Sequence, residues 1–169
     1  QLIPVFTVAE NVILGNELRR GAVLDLDTAR ARIKALGVQY GLFVDPDARI
    51  EDLSVGEQQR VELLKALFRN ADILILDEPT NGLDVVATRA LREALRRLRD
   101  EGGKCIVFST HIMQEVERLC DQVVVVSHGR TVATGTVAEL SARSGEHDFE
   151  ETFVKLAFSP VERGQAGAP

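Results

Sequence analysis

Residues 73–80 read Ile-Leu-Ile-Leu-Asp-Glu-Pro-Thr. Four consecutive apolar side chains ending on two adjacent acids describe a buried strand that delivers Asp77 and Glu78 to one edge of a sheet. Carboxylates taken out of water are costly unless a cation or a proton meets them. Mg²⁺ with phosphates is the partner of matching chemistry, because Mg²⁺ accepts one or two carboxylates and keeps several waters. Alone, the acid pair reads equally well as a cap on the following turn. The reading sharpens only with what surrounds it: Leu53-Ser54-Val55-Gly56-Glu57-Gln58 upstream and His111 downstream.

The rest of the chain falls into recognisable elements. Thr7-Val8-Ala9-Glu10 has the form of a capping box ahead of Val12, Ile13 and Leu14. A second helix is predicted from about Asp27 to Tyr40, burying Ala31, Ile33, Leu36 and Val38, and Asp45-Pro46-Asp47 marks a turn. Ser54-Val55-Gly56-Glu57 is another capping box. Val61, Leu64, Leu67 and Phe68 behind it predict a helix over about Glu57–Arg69. After the Ile73–Asp77 strand comes a turn at Asn81-Gly82, with Asp84 capping a helix that faces inward through Ala87, Leu91, Ala94, Leu95 and Leu98. The arginines at 89, 92, 96, 97 and 99 form its solvated face. Strands are predicted at Cys105–Ser109, Val123–Val126 and Arg130–Ala133, with a short helix through Met113, Val116 and Leu119. Strand, helix, strand, helix, strand is the order of a parallel α/β layer. Helices open at Thr136 and over 149–158, and the Gly/Ala/Pro-rich stretch from Ser159 is predicted to be disordered.

Composition excludes several classes. The net charge of −6 argues against a nucleic-acid partner, which calls for a basic face. Cys105 and Cys120 have no CxxC spacing, so neither a disulfide scaffold nor a zinc site is indicated. The longest apolar run, 71–76, is interrupted at Asp72 and far too short to span a bilayer. No G-x-x-x-x-G-K-[ST] phosphate loop occurs in the 169 residues. With Gln1 rather than Met at the start, the expectation is a piece of a larger domain.

The order of signature-like loop, Asp-Glu strand end, Asn81-Gly82-Leu83-Asp84 and Ser109-Thr110-His111 resembles the nucleotide-binding subunit of ABC transporters, over Gln1 to about Leu140. The resemblance implies an α/β fold: a helical subdomain with the signature loop (1–70), part of a RecA-like P-loop NTPase sheet lobe (71–145), and a C-terminal helix and tail (146–169). The lobe carrying the phosphate loop would be missing. Leu53 through Arg69 resembles sugar or nucleoside importer ATPases, whereas Asn81 through Val116 resembles drug or sodium exporter ATPases, so a joined chain is one expectation.

Carried over by residue, Asp77 would hold Mg²⁺ through water and Glu78 would polarise the attacking water. His111 would contact the terminal phosphate of ATP. Ser54, Val55, Gly56 and Glu57 match the family's L-S-G-G-Q loop, with Val55 in place of a glycine and Glu57 in place of the glutamine. That loop would bind the nucleotide of a second, head-to-tail ATP-binding subunit through a helix N-terminus. Glu57 adds negative charge there unless it folds back into the capping box. Asp84 belongs to the loop that crosses the dimer interface, and Gln1 matches the glutamine that touches Mg²⁺ and senses the membrane-spanning subunit. The implied whole is an ATPase powering solute transport from the cytoplasmic face of a membrane. The alternative is a non-catalytic module that docks a membrane subunit or a partner ATPase.

Overall fold

The computed structural model describes residues 2–21 and 23–158. It divides into two compact units, one ending at Ser109 and one beginning at Thr110. The boundary at 70/71 read from the sequence falls inside the first unit.

In the first unit, α1 (Val8–Ile13) starts on a complete capping box: Thr7 accepts from the Glu10 amide, and Glu10 accepts from the Thr7 amide. Buried Asn11 anchors the chain ahead of this helix. Its Oδ1 accepts from the Ile3 amide at 2.7 Å, and its Nδ2 donates to the carbonyls of Ile3 and Thr7, both at 3.0 Å. A short antiparallel strand pair follows, β1 (Arg19–Arg20) with β2 (Val23–Leu24), which the sequence reading did not foresee. Helix α2 (Leu26–Tyr40) buries Ala29, Ile33, Gly37 and Tyr40. The predicted face was displaced: Ala31 and Val38 are exposed. Gly37 explains the shift, because a Cβ there would lie 3.1 Å from the Leu42 carbonyl oxygen, so the returning chain packs directly on it.

Helix α3 (Val55–Phe68) begins on the second capping box and buries Val61, Leu64, Leu67 and Phe68 as predicted. Strand β3 (Ile73–Asp77) leads into α4 (Val85–Asp100), which Asp84 caps through the Ala87 amide at 2.7 Å. Strand β4 (Cys105–Ser109) then lies parallel to β3 in full register, Ile73 opposite Cys105 and Asp77 opposite Ser109. The β3–α4–β4 crossover is the unit the sequence order implies.

The expectation of a strand buried on both faces is corrected. Only Leu74 is buried, while Ile73 and Ile75 are 62% and 81% exposed and Val107 is 54% exposed. Side chains alternate across a strand. The Leu74 face has helical cover, and the face with Ile73, Ile75 and Val107 has none among the described residues.

The second unit opens with α5 (Met113–Leu119) and continues as a hairpin of β5 (Val123–Ser127) and β6 (Arg130–Gly135). Its turn places His128 at φ 49° and Gly129 at φ 71°, the left-handed pair that suits a two-residue hairpin turn. The third predicted strand is thus paired antiparallel with β6 within this unit. Helices α6 (Val137–Ser144) and α7 (Phe149–Phe158) cover one face of the hairpin. Val116, Val125, Ala133, Leu140, Phe149 and Ala157 form the core. The tail from Ser159 lies outside the described residues.

Candidate functional site

The acid pair sits at the C-terminal end of β3. Asp77 is exposed, against the buried carboxylate that the apolar run implied, whereas Glu78 is half-buried with its Oε2 closed off from solvent. Both are nevertheless held. Ser109 Oγ donates a hydrogen bond to Asp77 Oδ1. The Glu78 amide donates to Ser109 Oγ at 3.3 Å and to the Ser109 carbonyl at 3.1 Å. Glu78 itself adopts a left-handed backbone, φ 44°. A non-glycine residue in that region costs on the order of 1–3 kcal/mol and persists where its surroundings over-determine it. Here Ser109 grips the amide, and the Glu78 carbonyl accepts from Asn81 N–H at 3.0 Å, closing the turn into the Asn81–Asp84 loop. Thr80 Oγ1 in that turn is buried and makes no hydrogen bond within the described residues.

The signature-like loop is built on α3. Glu57 folds back as the sequence condition required. Its Oε2 accepts from Ser54 Oγ at 2.6 Å and from the Ser54 amide at 2.9 Å, and Ser54 Oγ accepts from the Glu57 amide at 3.4 Å. The Ser54 hydroxyl and amide hold the Glu57 carboxyl below its ordinary range. Gln58 Nε2 braces the approach, donating to the carbonyls of Leu53 at 3.0 Å and Ile50 at 3.3 Å. Val55 is 53% exposed at the helix start. Gly56 is buried, and a Cβ there would come within 2.9 Å of Ala87 Cβ. The first turn of α3 therefore rests on the first turn of α4, next to the cap Asp84.

His111 lies in the second unit, exposed, where Thr110 Oγ1 accepts from the Ile112 amide at 3.1 Å. Gln1 lies outside the described residues. The structure thus brings Asp77 and Glu78 together through Ser109, and the 54–57 loop together with the start of α4. Ser109 was missed as a site residue. Its one sequence signal is that β3 and β4 are both five residues long, so an in-register parallel pair sets residue 109 opposite residue 77.

The donor set fits Mg²⁺ held partly by other oxygens. Asp77 offers an exposed carboxylate whose orientation Ser109 fixes, and no group of three His, Cys, Asp or Glu among the described residues could cage a metal. That matches an ion that takes one or two carboxylates and completes its shell with water and phosphate. The phosphate side is only partly provided: the amides of Val55 and Gly56 start a helix and have no intrahelical acceptor. Cys120 is no candidate nucleophile, since burial and the nearby Asp121 and Glu115 push its thiol up to about 11.

Comparison with known proteins bears directly on this arrangement. The ABC transporter family profile matches residues 1–81, which hold the signature-like loop, the acid pair and the start of the following turn. The nucleoside import ATP-binding protein NupA of Lactococcus lactis subsp. cremoris is 47% identical over 168 residues, 99% of this chain. The chain belongs to the ABC transporter ATP-binding family. Among solved structures, cbiO1 from Clostridium perfringens, part of the ABC transporter complex cbiONQ, superposes with a TM-score of 0.69 at 29% identity over 94% of this chain. A dimeric bacterial ABC transporter cassette gives a TM-score of 0.66 at 28% identity over 80% of the chain. The fold is accordingly the mixed α/β fold of ABC ATPase cassettes. The chain spans 32% of the length of NupA and 60% of the cbiO1 chain. The match to the nucleoside importer runs through the second half of this ABC sequence as well as the first.

Proposed function

We propose that this chain serves in the ATP-hydrolysing subunit of an ABC transporter and supplies the acid pair of the hydrolytic site. The observation that carries this is Asp77 and Glu78 projecting from one strand end, with both acids tied to Ser109 and Glu78 held in a strained left-handed conformation.

In this reading Asp77 holds the hydration shell of Mg²⁺. Bound Mg²⁺ would neutralise developing charge on the phosphates. Glu78 accepts a hydrogen bond, and then a proton, from the water that attacks the terminal phosphate of ATP. Ser109 and Asn81 hold the two peptide groups of Glu78 in its strained conformation. His111 donates a hydrogen bond to the terminal phosphate. The first turn of α3 offers its Val55 and Gly56 amides to the nucleotide of a second ATP-binding subunit, arranged head to tail, and Asp84 lies in the loop that meets that subunit. Gln1 would touch the metal and sense a membrane-spanning subunit. The 1–70 helical subdomain and the 71–145 sheet lobe would be the mechanical parts. Among the described residues no helix is long and apolar enough to cross a membrane. A peripheral place on the cytoplasmic side of a membrane partner follows from the proposal. The name of the importer relative suggests a nucleoside as the class of cargo.

The test is Glu78→Gln in the full-length protein. Gln keeps the shape but accepts no proton, so turnover should fall by about 10²–10⁴, the usual worth of a general base. ATP binding, read by equilibrium dialysis, should persist. Wild-type turnover in the Gln variant would show Glu78 to be structural. A full-length wild type that neither binds nor hydrolyses ATP would favour the docking-module alternative.

A further inference from the structure

Two polar contacts at the β3–β4 end, one to each acid, pass through one side chain. Ser109 Oγ has one proton and two lone pairs. The proton goes to Asp77 Oδ1, and the oxygen accepts the Glu78 amide at 3.3 Å. The Ser109 carbonyl accepts the same amide at 3.1 Å. The parallel register makes this possible by placing residue 109 opposite residue 77 at the last rung of the ladder. One hydroxyl therefore orients the carboxylate of one acid and pins the strained peptide of the other.

From this geometry we propose that Ser109 is the positioning residue of the acid pair: it sets the direction in which Asp77 faces the metal and locks Glu78 in its left-handed conformation. The inference rests on the metal and water roles proposed above for the two acids. Three consequences separate it from a packing role. The hydroxyl is essential and the volume is not. The effect appears in metal affinity as well as in rate. It falls on kcat more than on KM for ATP, because neither hydrogen bond of Ser109 touches the nucleotide. A side chain that orients a metal-binding carboxylate from behind is typically worth about 10–100-fold in metal affinity or activity.

The experiment compares Ser109→Thr with Ser109→Val in the full-length protein. The two replacements share a β-branched shape and differ in the hydroxyl. Mn²⁺ replaces Mg²⁺ as an EPR-visible probe, titrated in the presence of ATP in a Glu78→Gln background that accumulates no product. Thr should keep the Mn²⁺ dissociation constant within a few-fold of wild type, whereas Val should weaken it by about 10–100-fold. Without the Glu78 substitution, Val should lower kcat by a comparable factor with little change in KM. Amide hydrogen exchange at Glu78 should be faster in Val than in Thr. Equal melting temperatures for the two variants exclude unfolding as the cause. Val behaving like Thr in Mn²⁺ affinity, rate and exchange would overturn the role of the hydroxyl. The outcome is separable from that of the underlying reading. If Glu78→Gln alone leaves turnover intact, the acid assignment fails whatever Ser109 does; if it abolishes turnover while Val matches wild type, only the Ser109 inference fails.

Discussion

Leu74 and Ile75 are neighbours on β3 and isomers that differ only in where the side chain branches, yet they sit in opposite environments. Leu74 is 3% exposed and Ile75 is 81% exposed. Truncating a buried leucine to alanine removes its transfer free energy and leaves a cavity, together about 2–5 kcal/mol. Full burial of an isoleucine side chain is worth roughly 1.5–3 kcal/mol. Only about a fifth of Ile75 is out of water, so its share is roughly 0.3–0.6 kcal/mol on the same scale. For the 169-residue chain, Leu74→Ala should therefore lower the urea midpoint strongly, and Ile75→Ala should leave it almost unmoved. Far-UV circular dichroism is the appropriate readout, since the chain contains no Trp. Comparable costs at the two positions would refute the reasoning, because Ile75 would then have to be packed in solution.

The same face should govern association. Ile73, Ile75 and Val107 form an exposed apolar strip on a two-stranded parallel sheet, and parallel sheets are ordinarily covered on both faces. Unpaired strand edges beside such a strip recruit other chains. Sedimentation velocity on the isolated chain should show concentration-dependent association that Ile75→Lys suppresses. A monodisperse monomer with one cooperative transition would sink this expectation.

Other predictions bear on the site and its supports. The purified 169-residue chain should release no phosphate from Mg²⁺·ATP, because losing even one well-placed donor can cost roughly 10²–10³ in rate and its residues hold no phosphate loop; Glu78-dependent release would contradict this. Gly56→Ala should destabilise by about 1–3 kcal/mol through overpacking against Ala87, and Ala87→Gly in the same chain should restore most of the loss; no recovery would mean that the two first turns are not in contact. Glu57 has a folded-state pKa below its ordinary 4.5, so its contribution is present above that value and is lost as pH falls through the depressed one. The stability advantage of wild type over Glu57→Gln should thus be seen near neutrality and vanish in acid, and an advantage that grows on acidification would show the sign to be wrong.

The features legible in the sequence are those whose physics is local. The two capping boxes read from the sequence, at Thr7–Glu10 and Ser54–Glu57, form with both reciprocal bonds, because each is closed within four residues, and the helix that opens at Thr136 proves to carry a third with Glu139. Asp84 likewise caps α4 within three positions. What local pattern cannot supply is which face of an element finds cover. The run Ile73–Leu76 has no alternation, so it reads as buried on both sides, and only the packing reveals that Ile73 and Ile75 are bare. The face of α2 was displaced for a related reason: Gly37 counts for nothing on a hydropathy scale, but the Leu42 carbonyl needs its missing side chain.

Ser109 is the most instructive case. It stands in the Ser109-Thr110-His111 run that carries part of the resemblance, but its own role is created by the rung it occupies opposite Asp77. A one-residue slip of β4 against β3 would bring Phe108 or Thr110 to that rung and turn every side chain of the strand to the other face. Leu74 and Ile106 share a rung on the better-covered side of the pair, so the core defends against the slip. The geometry of the acid pair is thus guarded several residues away from the acids. Mutations that loosen the Leu74 face should consequently disturb Asp77 and Glu78 without touching either.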